Sequence, residues 1–474
     1  MISLHPYQSS DIESIRQWFR KGCKTVLWYM PTGAGKSFAS AFMFITAAGH
    51  GKTCWFIVHR RELLRQTEKQ FQAMGIDYGV IASGRGMQPW KLVQICSIGT
   101  LLRRMHKLRK PHFAAFDECH HLRANTWTDI YKYIEGAYIV GLSASPCRAD
   151  GGGLAQYFGA LVATTQIRQL IAAGYLSPFR TFAPPTVETS GLHVRAGDYI
   201  ITESEALMDK PTITGSAVSE YRRLCDGKRA IVFCCSVEHS KHVAAQFRES
   251  GYAALHMDGT IADTIRDMAI DDFEKGKIQV LCNVDLCGEG LSINAIECVI
   301  LLRPTQSLGL FIQQVGRGLR RWSEKKELII LDHVGSTVKF GMIDEPREWT
   351  LAGDVEKRKK KSPPGVRICP KCFAASSPRA PKCTNKGPPE CDHVFEVKSR
   401  AVGEQEGELV EVTQEELARR RERRALGYEQ FNADTIEKLV EVLRKKGRKG
   451  DLAGQARHIL AARAAKKLKE RASG

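Results

Sequence analysis

A lysine placed directly after two closely spaced glycines, in Met30-Pro-Thr-Gly-Ala-Gly-Lys-Ser37, is suited to holding phosphate. Gly33 and Gly35 let the backbone turn tightly, so the N–H groups from Thr32 through Ala34 to Lys36 can face an anion. The Lys36 ammonium would neutralise the outer phosphates, and the Ser37 hydroxyl can bind Mg²⁺. An acidic pair, Asp117-Glu118, closes the apolar run Phe113–Phe116. One carboxylate can hold Mg²⁺ while the next orients and deprotonates an attacking water, which is the demand of nucleotide hydrolysis. Arg317 and Arg320 are three apart in a helix-compatible segment and share one face. From there two guanidinium groups can reach a γ-phosphate bound by another part of the chain and stabilise charge in the transition state. Cys369, Cys372, Cys383 and Cys391 are the ligand set for a tetrahedral Zn²⁺, with His393 an alternative to Cys391.

The elements that must carry these groups are short and apolar. Thr25–Met30 reads as a buried strand running into the phosphate loop, and Phe38–Ala48 as the helix whose N-terminus points at the anion. Thr53–Val58, Leu92–Cys96, Phe113–Phe116 and Tyr138–Leu142 read as further strands, and Ser10–Arg20 and Leu101–Lys110 as helices. A second series begins at Arg229 and alternates strands with helices up to Leu331. Such alternation predicts a second parallel sheet, so the fold class is α/β with two parallel-sheet domains in tandem. Gln8, about twenty-five residues before the phosphate loop, carries both a donor and an acceptor, as reading an adenine edge requires.

The motifs together resemble the superfamily 2 helicases, the DEAD/DEAH-box group, over roughly residues 4–350. Met30–Ser37, Asp117-Glu-Cys-His120 and Ser143-Ala-Ser145 resemble motifs I, II and III, and Gln8 the adenine-reading Q motif. Ile231–Ser240, Asn283–Gly290 and Gln313–Arg320 resemble motifs IV, V and VI. The relatives in view are helicases of phages and bacterial mobile elements. The resemblance implies two RecA-like domains with ATP between them, and Glu289 and Gly290 beside the nucleotide. Four departures stand out: Met30 where a first glycine is usual, Cys119 where alanine is commoner, Ser145 in place of threonine, and no aspartate near Ser292. It implies an ATP-dependent helicase or translocase, with DNA favoured over RNA and a non-unwinding motor or an RNA helicase as alternatives.

The boundaries expected are a first domain over 1–165, a connector over 166–228, a second domain over 229–350 and a basic linker over 351–366. A zinc-ribbon-like module over 367–398 and a basic helical tail over 399–474 follow. Of the formal net charge of +18, a surplus of 12 lies from Glu356 onward, with 29 basic against 17 acidic residues. That asymmetry points to a polyanion, single-stranded or forked DNA foremost, with replication or recombination proteins as loading partners. Residues 366–474 are therefore expected to add affinity without entering the hydrolysis chemistry. No apolar run is long enough to span a bilayer and the N-terminus has no signal-peptide pattern, so a cytoplasmic protein with no membrane partner is expected. The other eleven cysteines, scattered through apolar segments, read as reduced thiols.

Overall fold

The structure is a computed structural model that describes residues 3–122, 125–146, 152–183, 192–195, 198–209, 211–284, 293–352, 366–378, 380–388, 390–395, 429–430, 433, 435–446 and 450–460. It divides into two compact units, residues 1–397 and 398–474.

Seven strands form the first sheet: β1 (Thr25–Tyr29), β2 (Cys54–Val58), β3 (Tyr78–Ile81), β4 (Val93–Ser97), β5 (Phe113–Asp117), β6 (Tyr138–Ser143) and β7 (Ala160–Val162). Their order is β3-β4-β2-β5-β6-β1-β7, and every pairing is parallel. Strands covered on both faces read as continuous apolar runs, and β2 is buried along its whole length. Only β6 separates β1 from β5, which brings the phosphate loop and the acidic pair together at the carboxyl end of the sheet. Open parallel sheets bind their ligands at that end.

The edge strands β3 and β7 lie outside the sequence expectation. The helix expected over Leu101–Lys110 is instead Ile98–Arg104 followed by a 3₁₀ turn, Met105–Lys107. The first helix begins at Pro6 rather than Ser10, and so includes Gln8. Asp11 on that helix is fully buried. It accepts from Trp28 Nε1 at 2.9 Å and from Thr165 Oγ1 at 3.2 Å, tying the helix to β1 and to the chain leaving β7.

The stretch 166–228 does more than connect. It supplies β8 (Phe179–Phe182) and the helix Pro211–Cys225, and a hairpin of β9 (Val194–Arg195) and β10 (Asp198–Tyr199). The second sheet comprises β8 with β11 (Ala230–Phe233), β12 (Ala254–Met257), β13 (Val280–Asn283), β14 (Cys298–Leu301) and β15 (Leu328–Asp332). Its order is β12-β13-β11-β14-β15-β8, again wholly parallel, with β8 at one edge. The helix Leu308–Gly318, which carries Arg317, lies between β14 and β15. After β15 the chain returns to the first sheet: Leu154 N–H donates to the Leu351 carbonyl at 2.8 Å, and Trp349 packs on Tyr29 with ring centroids 5.3 Å apart.

The cysteine module is built onto the second sheet. Its strands β16 (Arg367–Ile368) and β17 (Ala375–Ser376) pair antiparallel. Ala374 bridges Phe182, and Ala183 N–H donates to the Phe373 carbonyl at 2.9 Å, so the module extends the exposed edge at β8. Arg180 fastens it from the side, donating to Asn385 Oδ1 at 2.7 Å while its Nε pairs with Glu327 at 3.0 Å. The module thus belongs to the same compact unit as the two sheets.

Residues 398–474 contain the helix Ile436–Lys445, capped by Thr435, whose hydroxyl accepts from Lys438 N–H. Leu439 and Leu443 on it pack with Ala433 and Ala456. The helix expected over Thr413–Ala425, the basic run Glu356–Lys361 and the end of the chain after 460 lie outside the described residues.

Candidate active site

Gly33 and Gly35 both adopt left-handed backbone, with φ of +87° and +77°. A side chain at either would be strained, and a Cβ on Gly35 would lie 2.6 Å from Gln8 Nε2. The loop is therefore braced from the first helix. Gln8 Nε2 and the Tyr7 hydroxyl both donate to the Ala34 carbonyl, at 3.0 and 2.9 Å, while Gln8 Oε1 accepts from His5 N–H at 2.9 Å. Gln8 is 1% exposed. It braces the loop, a contact that the adenine reading did not foresee.

Lys36 heads the helix Lys36–Gly49, and its ammonium lies 3.1 Å from Glu118 and 3.3 Å from Asp117. Burial would push this lysine down, but Glu118 and Asp117 together outweigh it and hold the ammonium above its ordinary range. Burial raises the Asp117 carboxyl, with Lys36 opposing and Glu118 adding to the rise. Two carboxylates thus share one ammonium, and the remaining negative charge suits a cation. Glu118 has φ +50°, a left-handed conformation that costs a non-glycine residue about 1 kcal/mol. The turn begins immediately after β5 and aims the two consecutive carboxylates at the same lysine.

Residues of the second and third motif stretches surround them. His120 Nδ1 lies 3.5 Å from Glu118 and 3.4 Å from the Ser143 hydroxyl at the end of β6. His121 packs between His120 and His59 with its ring tilted to both, centroids 4.3 and 4.6 Å apart, linking the ends of β5 and β2.

The second sheet closes the site. A cavity of about 390 Å³ is lined by Lys36, Ser37, Asp117 and Glu118 on one side and by Arg317 and Arg320 on the other. The approach is close: a Cβ on Gly316 would lie 2.6 Å from Thr32 Cβ, and one on Gly33 would lie 3.0 Å from Arg320 Cγ. The glycine before Arg317 is what lets the arginine helix reach the phosphate loop. Ser145 meets the start of the same helix, its Oγ 3.0 Å from where a Gly309 Cβ would be. Burial, then repulsion from Arg317, pushes Arg320 down to about 9, still cationic at neutral pH. Thr32, Gly33, Gly35 and Ser37 line this cavity and Ala34 does not, whereas Glu289 and Gly290 lie outside the described residues.

Two ion pairs span the cleft at its rim, with Arg65 2.8 Å from Asp263 and Arg266 against Glu62. Arg266 is 4% exposed, so its partner matters. Glu62→Arg should lower kcat/KM for ATP by about tenfold, and the swap Glu62→Arg with Arg266→Glu should recover most of it, a coupling of about 1–3 kcal/mol. Steady-state kinetics of the four proteins measure this; a swap no better than the single variants would show that the pair does not hold the domains together.

The four cysteine sulfurs of the C-terminal module all lie within 4.8 Å of one another, with Cys369–Cys391 at 3.7 Å and Cys372–Cys383 at 3.5 Å. Four thiolates around one Zn²⁺ would be about 3.8 Å apart, so the spacing fits that ion. Cys391 completes the set. The His393 ring packs edge-on against Phe395, and its carbonyl accepts from Cys383 N–H.

Comparison with known proteins agrees with this geometry. Residues 1–148 match the family model described as "Type III restriction enzyme, res subunit", and residues 216–321 match "Helicase conserved C-terminal domain". A 51.5 kDa protein of a Lactococcus phage is 32% identical over 372 residues, which are 78% of each chain. The chain belongs to the superfamily 2 helicases. Superfamily 2 proteins are ATP-hydrolysing nucleic-acid helicases and translocases, and this chain carries that family's two domains in order. The "Putative mitochondrial ATP-dependent helicase irc3" of Schizosaccharomyces pombe is 28% identical over 382 residues, 74% of this chain but 60% of the yeast protein. The type ISP restriction-modification enzyme LlaBIII, solved bound to DNA, shares the superfamily fold with a TM-score of 0.53 and 16% identity, over 69% of this chain and 27% of the enzyme. Among the described residues no helix is long and apolar enough to cross a membrane.

Proposed function

We propose that this chain is a DNA-dependent ATP hydrolase that moves along a strand as its two domains close and reopen. The observation that carries the reading is the convergence of Lys36, Asp117 and Glu118 from one sheet and Arg317 and Arg320 from the other on a single cavity. Lys36 and the N–H groups of Thr32–Gly35 hold the phosphates. Ser37 and Asp117 hold Mg²⁺, which neutralises charge on the β- and γ-phosphates when bound. Glu118 accepts the proton of the attacking water, and Arg317 and Arg320 stabilise the charge that develops. Gln8 acts through the phosphate loop, which it braces at the Ala34 carbonyl. Cys369, Cys372, Cys383 and Cys391 hold a structural Zn²⁺.

The test is the ATPase rate with single-stranded DNA, duplex DNA and RNA in turn. Stimulation by DNA above RNA is expected; equal or greater stimulation by RNA would overturn the choice of strand. Restriction-type matches favour a motor that translocates without unwinding as a second reading. Strand-displacement assays run beside translocation assays separate the two. Glu118→Gln should lower kcat by about 10²–10⁴-fold while ATP binding persists, because it removes the base and leaves Lys36 and Asp117 in place. Near-normal turnover by this variant would remove Glu118 from the role.

A further inference from the structure

Lys325 lies in the charged turn Ser323-Glu-Lys-Lys-Glu327, where the sequence reads as surface. It is instead 5% exposed and lines no part of the nucleotide cavity. Its ammonium donates to three main-chain carbonyls: Ile296 at 3.0 Å, Gly318 at 2.6 Å, and Arg320. Three acceptors meet the three protons of an ammonium. Two of them belong to the end of the arginine helix and to Arg320 itself; the third lies just before β14. The cation also sits at a helix C-terminus, where positive charge is favoured.

Ser177 grips the same few atoms from the other side. Its hydroxyl donates to the Arg320 carbonyl at 3.1 Å and its N–H to the Leu319 carbonyl at 2.8 Å, while Leu176 bridges Arg320. Ser177 is fully buried. The main chain from Gly318 to Arg320 is thus held at each residue, and the Arg320 side chain leaves it over Gly33 of the phosphate loop.

A buried lysine is an expensive way to fill space, since an apolar side chain would be cheaper. Burial pushes Lys325 down to about 7, with Glu297 opposing and Arg320 and Arg321 adding to the fall. What the ammonium supplies in return is direction, since it fixes the carbonyls of Gly318 and Arg320 at the end of the arginine helix.

We propose that Lys325, together with Ser177, is a positioning residue for the arginine finger, clamping the main chain so that the Arg320 guanidinium stays aimed across the cleft. The proposal rests on the reading of Arg320 as a finger. A group displaced by about 1 Å loses on the order of 10²-fold in rate.

The experiment is a double-mutant cycle on kcat in the full chain, with Lys325→Met, Arg320→Ala and both together. Lys325→Met should lower kcat by about 10²-fold with the ATP KM within about twofold. In the Arg320→Ala background it should lower kcat by no more than about twofold, because nothing remains to be aimed. Losses that multiply would overturn the proposal and leave Lys325 a general stabiliser of the second domain. If Lys325→Met does not fold, Ser177→Ala carries the same cycle, with a loss of about fivefold that should likewise vanish without Arg320. Should Arg320→Ala alone leave kcat unchanged, the finger reading itself fails and takes the proposal with it, an outcome distinct from multiplying losses.

Discussion

Arg320→Ala should lower kcat by about 10³–10⁵-fold while the ATP KM changes by only a few-fold. The asymmetry follows from which groups touch phosphate in each state. On the proposed reading the ground-state triphosphate is held from the first domain by Lys36 and the loop N–H groups, and those remain in the variant. Arg320 is contributed by the second domain and approaches the loop at Gly33. Its charge matters most while the γ-phosphoryl group is in transfer, when a fixed cation stabilises the charge as it redistributes over the transferring, attacking and leaving oxygens. Burial and the neighbouring Arg317 already depress its pKa to about 9, so an anion between the two guanidinium groups relieves repulsion as well as gaining attraction. Arg320→Lys should recover little, because an ammonium cannot present the planar fork. Steady-state kinetics at saturating single-stranded DNA measure both constants. A kcat within threefold of the parent would mean that the two domains do not share one site.

What the sequence made legible was the part of the site that is local in the chain. A glycine-lysine turn after an apolar strand and an acidic pair at another strand's end each declare themselves within ten residues. The alternation of strands and helices then placed both in parallel sheets. What it hid was set by distance and by brevity. The edge strands Tyr78–Ile81, Ala160–Val162 and Phe179–Phe182 have three or four residues, too few for a period to show. Phe179–Phe182 was hidden further by lying in a stretch broken by prolines, which looked like a connector. The Glu62–Arg266 pair joins residues 204 apart. Lys325 was concealed by its neighbours, because four charged residues in a row read as solvated whichever of them turns inward. Gly316 carried a signal in retrospect: a glycine beside an arginine on an amphipathic helix marks a close approach, here to Thr32. The position of the cysteine module was hidden for the same reason as the ion pair, since it docks on a strand nearly two hundred residues earlier.

That docking changes what losing the metal should do. In chain order the module follows the motor, and a cut before Pro363 would be expected to spare hydrolysis. In space, Phe182 and Ala183 are bonded to Ala374 and Phe373, and Arg180 to Asn385. The module covers the open edge of the second sheet, and an uncovered edge strand invites aberrant pairing. Binding of a structural Zn²⁺ contributes about 10–16 kcal/mol in isolated zinc-finger peptides, so a module this small should not hold its shape without it. The consequence runs along one strand: β8 begins two residues after Ser177, which grips Arg320. Cys369→Ser with Cys372→Ser should therefore abolish zinc binding, lower the melting temperature of the 1–397 unit and reduce kcat. Removal of residues 398–474, a separate unit, should leave all three unchanged. Metal content by elemental analysis, calorimetry and single-stranded-DNA-stimulated ATPase rates on the two proteins test this together. A zinc-free cysteine variant that melts and hydrolyses like the parent would return the module to the status of an appendage, and the cut before Pro363 would then divide motor from grip.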